Sequence, residues 1–254
     1  MKKIFLPIFL LAFLFVCSGG TKKTSLEKEN LNGKVKTVKE TEYEAVEKFG
    51  EITKGKVSAW PFPTTRVYDE KESLIEKSWH KYDGNLDSKG VYKYDEKGNM
   101  IEQSWYNSDG SFRCKIVNKN NKRGNVIEQI QYDADGSLEW KWLYKYDKKG
   151  NPTEMSRYDS EDSLGFKWAY KYDNKGNQIE KSYYNSDVDW SSKSVYKYDE
   201  KENLIEMSVY YSDKNIGYTA TYKYEFDDKN NWIKKITYKN SIPQKITIRE
   251  VEYY

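Results

Sequence analysis

The stretch Tyr92-Lys93-Tyr94-Asp95-Glu96-Lys97-Gly98-Asn99 establishes the architecture, because versions of it return every 26 residues along the chain. The aromatic position recurs at Tyr68, Tyr94, Tyr146, Tyr172 and Tyr198, with Asn120 at the one position that lacks a tyrosine. A further copy, Tyr224-Glu225-Phe226-Asp227, lies two residues beyond the position that the 26-residue period predicts. A fixed period of this length indicates one supersecondary unit copied in a row. We count seven units, over residues 66–239.

Each unit contains two turn signals and therefore two strands. Asp95-Glu96-Lys97-Gly98 and Asn107-Ser108-Asp109-Gly110 both begin with Asp or Asn and have glycine fourth, a pattern typical of hairpin turns. The intervening pieces alternate in polarity and show no helical spacing. We therefore predict an all-β fold, an antiparallel meander of roughly fourteen strands plus a few at the ends, forming an open twisted or curled sheet.

The two faces of this sheet differ in character. Trp140, Trp142 and Tyr144 lie on one face of their strand, whereas Lys141 and Lys145 lie on the other. Because 26 is even, stacked copies keep the aromatic face on one side, where its burial supplies the main stabilisation. Glutamate also recurs once per unit, and the face on which it lies depends on whether the turn has an odd or an even number of residues. These glutamates are Glu76, Glu102, Glu128, Glu154, Glu180 and Glu206. On the lysine face they would form ion pairs, which we favour; on the aromatic face they would line a polar ligand-binding surface.

The first residues predict export. Residues 1–17 have Lys2 and Lys3 before an apolar stretch too short to span a bilayer, as in a signal peptide. Leu14-Phe15-Val16-Cys17 resembles the lipobox of bacterial lipoproteins, in which the cysteine is lipidated, although Val16 stands where that family usually has Gly, Ala or Ser. Cleavage after Ser18 and free secretion is the alternative.

The flanks of the repeat array differ from the units. Residues 18–30 are polar and predict a flexible tether that holds the domain off the membrane. We predict N-terminal capping strands over residues 31–65 and a C-terminal capping strand over residues 240–254, because a repeat array needs caps at its ends.

Composition excludes several classes of protein. The formal net charge of +3 falls to +1 once Lys2 and Lys3 leave with the signal segment, so nothing recruits nucleic acid. Cys17 and Cys114 are the only cysteines, so lipidation of Cys17 leaves no intramolecular disulfide. Cys114 shares its repeat column with Trp140 and Phe166, and we expect it to pack in the core.

No arrangement of residues indicates catalysis or a cofactor. The only histidine, His80, stands in a column of packing tyrosines, so a Ser-His-Asp triad is not supported. A zinc site lacks ligands, and no phosphate-binding loop is present. Asp133-Ala134-Asp135-Gly136 resembles the start of a calcium loop but occupies an ordinary turn position. We therefore predict a protein that is not an enzyme and has no metal or cofactor.

The pattern Tyr-x-Tyr-Asp-x-x-Gly-Asn resembles the YD repeat of the Rhs family of bacterial surface and secreted proteins, over about two thirds of the chain. The resemblance implies a β-rich sheet that curls and a role in surface binding, often of carbohydrate, or in enclosing a toxin. Seven units look too few for a closed shell, so the enclosing role fits less well. The units also resemble, with fewer glycines, the hairpins of MORN repeats.

These observations predict a lipid-anchored protein of the bacterial cell envelope that binds a glycan or a protein through aromatic residues. The alternatives are a structural or assembly spacer without a small ligand, and a shell or immunity-type partner of a secreted toxin. The densest aromatic stretch supplies the candidate ligand-binding residues, Trp140, Trp142, Trp168 and Trp190. For each of them, core packing is the alternative role.

Overall fold

The structure, a computed structural model, describes residues 24–185, 190–212 and 215–254. One short helix precedes seventeen strands. They are α1 (Ser25–Lys28), β1 (Val35–Lys48), β2 (Glu51–Val57), β3 (Thr64–Tyr68), β4 (Leu74–His80), β5 (Leu86–Tyr94), β6 (Met100–Asn107), β7 (Phe112–Asn120), β8 (Val126–Asp133), β9 (Leu138–Tyr146), β10 (Pro152–Asp159), β11 (Leu164–Tyr172), β12 (Gln178–Asn185), β13 (Trp190–Tyr198), β14 (Leu204–Tyr211), β15 (Ile216–Phe226), β16 (Trp232–Lys239) and β17 (Ile242–Tyr253). Fourteen of them, β3 to β16, fall in the repeat array, as the turn signals predict.

Each repeat is closed by a turn that its own side chains hold. Asp95 Oδ1 accepts hydrogen bonds from the backbone N–H groups of Lys97 at 3.0 Å and Asn99 at 2.7 Å. The amide of Asn99 donates to Asp95 Oδ2 at 2.7 Å, and Gly98 has φ +72°. The motif Asp-x-x-Gly-Asn therefore codes a hairpin turn, in which glycine supplies the left-handed backbone.

Tyrosine hydroxyls join successive repeats. Tyr94, Tyr146, Tyr198 and Tyr224 each donate a hydrogen bond to the backbone carbonyl of the residue twenty positions earlier, at 2.6–2.8 Å for three of them and 2.9 Å for Tyr198. Asn120, which replaces tyrosine in one unit, makes the equivalent bond to Met100 through its amide, at 3.0 Å. The recurrent tyrosine thus satisfies a carbonyl of the neighbouring hairpin.

The sheet closes on itself, so the predicted open twisted or curled sheet is wrong. β1 pairs with β17 over Val35–Glu44 and, along its other edge, with β3 over Thr37–Glu40. With β3 to β17 paired in chain order, this contact produces a 16-stranded antiparallel barrel. The two flanks, which we expected to cap opposite ends, pair with each other instead, because closure leaves no unpaired sheet edge.

β2 lies outside the ring as a hairpin extension. It pairs with the second half of β1, with Lys48 opposite Glu51. Phe49, at the tip between them, is fully exposed. We call the end of the barrel that carries this extension the hairpin end.

The opposite end contains α1, and we call it the helix end. A capping box between Thr24 and Glu27 starts the helix, and the N–H of Ser25 donates to the carbonyl of Glu72 in a turn at this end. Leu26 is 1% exposed and packs with Val38, Tyr68 and other inward residues. Residues 24–30, part of the predicted tether, are therefore packed against the barrel wall, whereas Cys17 lies outside the described residues.

On β9 and β11 the aromatic rings face the lumen, whereas the repeated lysine–glutamate pairs face outward. On β9, Trp140 and Trp142 are each 3% exposed, whereas Leu143 and Lys145 lie on the outer face. The recurrent glutamates pair outward with lysines of the neighbouring strand, which confirms the ion-pair prediction. These pairs are Lys89–Glu76, Lys93–Glu102, Lys119–Glu128, Lys145–Glu154, Lys171–Glu180 and Lys197–Glu206.

Candidate functional site in the lumen

One wall of the lumen, formed by β9 to β12, carries a continuous aromatic surface. The rings of Trp142 and Trp168 stack at 5.4 Å between centroids, and Phe166 makes edge contacts with both, at 5.3 and 4.8 Å. Trp140 contacts Trp142 edge-on at 5.6 Å, and Tyr183 extends the surface beyond Trp168. Such contacts hold the rings in fixed positions along the wall.

Two cations lie on this aromatic wall. The guanidinium of Arg157 is 5.8 Å from the ring centroid of Trp140 and 5.3 Å from that of Phe166. The amino group of Lys181 lies 4.8 Å from the Trp168 ring, and burial lowers the pKa of this amine. Cation–π contacts therefore position both charges along the inner surface.

Several inner side chains of the wall remain partly accessible to solvent. Trp168, Tyr170, Lys181 and Tyr183 all point inward but are only half-buried. Barrels of about sixteen strands are wide enough that side chains alone do not fill them. Other side chains therefore cover the inner surface of the aromatic wall only in part.

Three of the four predicted ligand-binding tryptophans come together here. Trp140 and Trp142 are nearly fully buried and mainly pack within the barrel wall. Trp168 is half-buried and faces the lumen. Trp190 begins β13, but its side chain lies outside the described part of the chain. The repeat pattern does not single out Arg157 and Lys181, although strand alternation from the outward Glu154 and Glu180 places both inside.

A second inward-facing group lies where the barrel closes, and we call Glu29, Glu40, Arg66, Lys77, Lys235 and Arg249 the seam cluster. Glu40 of β1 bonds Arg66 of β3 at 2.7 Å and Arg249 of β17 at 2.6 Å, so it joins both flanking strands. Arg66 also pairs with Glu29 at 3.0 Å. Burial alone would raise the pKa of Glu40, but attraction from Arg66 and Arg249 outweighs it and holds this pKa well below its usual range.

Two lysines complete the seam cluster. Lys77 is 7% exposed and lies 4.9 Å from the Trp79 ring, and burial lowers its pKa to about 8. Lys235 lies 5.1 Å from the Trp232 ring, and burial lowers its pKa as well. Neither lysine has an ion pair within 4 Å among the described residues. The cluster therefore contains four basic and two acidic side chains.

The remaining candidates from the sequence have structural roles. Cys114 is 7% exposed in the lumen wall, and burial raises its pKa to about 11, so the thiol is protonated near neutral pH. His80 lies on the outer face, within hydrogen-bond distance of Thr65 and Ser78. Within the described ranges, no three His, Cys, Asp or Glu residues form a group suited to a metal ion. The same ranges contain no helix long and apolar enough to cross a membrane.

An open groove of about 540 Å³ lies at the hairpin end. Its lining includes the outward residues Lys167, Tyr184, Lys193 and Tyr210. Because it is open to solvent and mostly on the outer face, it offers a ligand less enclosure than the lumen does.

Neither a protein-family profile nor a curated protein sequence matches this chain. Among solved structures, a porin-like protein from Bacteroides uniformis is similar with a TM-score of 0.57 and 10% identity, over 92% of this chain and 100% of that one. A porin-like protein from Bacteroides vulgatus is similar at a TM-score of 0.48 and 13% identity, over 87% of this chain and 98% of that one. A chain of the Photorhabdus luminescens Tc holotoxin pore aligns at 0.33 and 10% identity, over 71% of this chain but only 12% of its own length. At these identities the likeness concerns the fold alone, and by that measure the chain is similar to a porin-like β-barrel.

Proposed function

We propose that this protein is a non-enzymatic lipoprotein of the bacterial cell envelope, anchored through Cys17, whose barrel stands clear of the membrane and binds a glycan in its lumen. The observation that carries the proposal is the distribution of side chains between the two faces of one sheet. The aromatic wall of β9 to β12 and its stacked cations face inward, while the repeated lysine–glutamate pairs face outward.

The outer face supports a barrel that does not span the bilayer. A transmembrane barrel presents an apolar band about 25 Å tall to lipid, and a lysine near the midplane costs roughly 2–4 kcal/mol. Here Lys93, Lys145 and Lys197 are exposed on the outer face, each paired with a glutamate. The exposed apolar residues Val117 and Leu143 stand directly opposite Glu102 and Glu128 on the neighbouring strands, so charges interrupt the apolar surface there.

The inner face supports glycan binding. Sugar rings present flat C–H faces that pack on aromatic rings, and hydroxyl groups that bond to charged side chains. Trp168 with Lys181, 4.8 Å from the ring centroid, offers both within one half-buried surface. The likeness to porin-like barrels agrees with an envelope location, and it carries no information on a ligand.

The location can be tested with a Cys17→Ser chain. We expect the wild-type protein in the membrane fraction, labelled by radioactive palmitate, and the variant in the aqueous fraction without label. A variant that stays in the membrane without lipid and after removal of its signal segment would show a spanning barrel and overturn this part of the proposal.

Ligand binding can be tested with the full chain on a glycan array, followed by titration of tryptophan fluorescence with any hit. We expect Trp168→Ala and Lys181→Met to weaken a hit at least tenfold. Trp60→Ala is the matched control, because Trp60 is 49% exposed and precedes β3 outside the ring. Silence across the array, or equal losses in all variants, would contradict a glycan-binding lumen.

A further inference from the structure

The seam cluster carries more positive charge than its own carboxylates neutralise. Arg66, Arg249, Lys77 and Lys235 face Glu29 and Glu40, which leaves an excess of two positive charges when both lysines are protonated. The neighbouring pair of Lys245 and Glu42, 3.3 Å apart, is balanced and does not change this excess. Uncompensated charge inside a protein is costly, so a surplus of this kind favours a bound counter-ion.

The geometry places the four cations around one part of the lumen. They come from adjacent strands of the ring, in the order β4, β3, β17 and β16, with β1 between the middle two. Lys77 is directly opposite Arg66, and Glu40 is directly opposite Arg249. The shared carboxylate of Glu40 fixes both guanidinium groups, since it contacts Arg66 and Arg249 at the same time.

An unused donor points to the same position. Arg249 is 7% exposed, and its Nη1 atom is buried without a hydrogen-bond partner, although Nε and Nη2 both donate to Glu40. Its guanidinium stacks 3.5 Å above the Trp232 ring, so the group cannot turn freely to reach another acceptor. A buried guanidinium N–H that lacks an acceptor is a group that an anionic oxygen would satisfy.

We propose that the seam cluster binds the carboxylate or sulfate group of an acidic saccharide, with Lys77, Lys235 and Arg249 supplying the contacts. The saccharide part rests on the proposed function, whereas the anion site stands on the charge balance of the cluster alone. In the order of the ring β10 lies opposite β1, so the ligand would extend across the lumen, with its acidic group at the seam and its rings toward the aromatic wall of β9 to β12.

The anion site is tested by thermal unfolding of the full chain with inorganic sulfate, against chloride at equal ionic strength. We expect sulfate to raise the Tm of the wild type but not that of the Lys77→Met, Lys235→Met double variant. The matched control is Lys141→Met, Lys193→Met, which removes two outward lysines that lie near Tyr158 and Tyr210. Equal Tm shifts in all three proteins would be a general salt effect and would overturn the inference.

The saccharide is tested by calorimetric titration with tetragalacturonate and with its methyl ester, which has the same rings without the charge. We expect the acid to bind the wild type at least tenfold more tightly than the ester, and the double variant to lose this preference. Sulfate binding without binding of either saccharide would keep the anion site and overturn the glycan proposal. Equal binding of acid and ester would keep the glycan proposal and overturn the inference. If the double variant does not fold, Lys235→Met alone takes its place, because this lysine is only half-buried.

Discussion

Two turns carry a residue that differs from the repeat consensus, and this difference should lower the stability of the folded protein. The fourth turn position is glycine in Gly98, Gly124, Gly150 and Gly176, but glutamate in Glu72 and Glu202. Both glutamates keep the left-handed backbone, with φ +63° and +65°. A side chain in this region is strained, because Cβ approaches the backbone.

Replacing Glu202 by glycine should therefore stabilise the protein. We expect the free energy of unfolding to rise by about 1 kcal/mol, measured by urea denaturation. Gly110→Glu is the reciprocal control, because Gly110 has φ +81° and nothing within 4 Å of an added Cβ, so only the backbone is strained. A loss of stability in Glu202→Gly would show that its side chain contributes more than the strain costs.

The pKa of Lys77 predicts how stability changes with pH. Its folded-state pKa of about 8 lies below the value of 10.5 for an unperturbed lysine. Below pH 8 the amine is protonated in both states, and the folded protein carries the burial cost in full. Between pH 8 and 10.5 the unfolded chain binds more protons, so this cost is progressively lost and stability rises with pH.

We expect the wild type to gain about 2 kcal/mol relative to Lys77→Met between pH 8 and 9.5. The measurement is urea unfolding at both pH values in buffer without sulfate. Lys145→Met serves as the control, since this exposed lysine has its pKa raised by the hydrogen bond to Glu154. Parallel pH profiles of wild type and Lys77→Met would refute a buried, cationic Lys77.

At the scale of the hairpin, the tyrosine hydrogen bonds between repeats should contribute measurably. Tyr198→Phe removes the donor to the carbonyl of Gln178, and we expect a loss of about 1 kcal/mol in the free energy of unfolding. Tyr158→Phe is the control on the outer face, where the ring lies near Lys141. Equal effects of the two changes would mean that the hydroxyl of Tyr198 is as well satisfied by water as by the carbonyl.

The hairpins are also the level at which sequence predicts structure best. Strand number, turn positions and the two faces all follow from alternation and from the Asp-x-x-Gly-Asn turn, because these are local effects. The outward pairing of Glu102 was favoured but not determined by alternation, because it depends on the register across the turn, where the ladder shifts between Lys93 and Tyr94. The same alternation indicates that Cys114 and Trp140 face the core. Arg157 and Lys181 were missed because they vary between repeats, and the repeat pattern highlights only what recurs. The resemblance to YD repeats stays a prediction.

For the whole molecule, closure was not predictable from the local pattern. It depends on pairs such as Val38 with Val251, which are more than 200 residues apart in the chain. Whether fourteen strands curve far enough to bring the flanks together depends on the summed twist and on the bulges at each turn. A small error in the expected twist of each hairpin would accumulate over the sheet. No residue type indicates whether the sheet closes.

The closure has a specific electrostatic test. Glu40→Ala should cost about 3–5 kcal/mol, because it leaves Arg66 and Arg249 buried without their shared carboxylate. Glu102→Ala removes an outward partner of Lys93 and should cost less than about 1 kcal/mol in the same urea measurement. Similar losses in both variants would show that the seam is no more important to stability than any exposed pair.

Because β1 pairs with β17, the diameter of the barrel depends on how many repeat units the gene encodes. Every unit contributes two antiparallel strands, so gaining or losing one unit by recombination between similar segments keeps the direction in which the last strand meets the first. One extra unit would give eighteen strands and a diameter about one eighth larger. Relatives of different length could thus evolve wider or narrower bores in discrete steps, without redesigning a single strand.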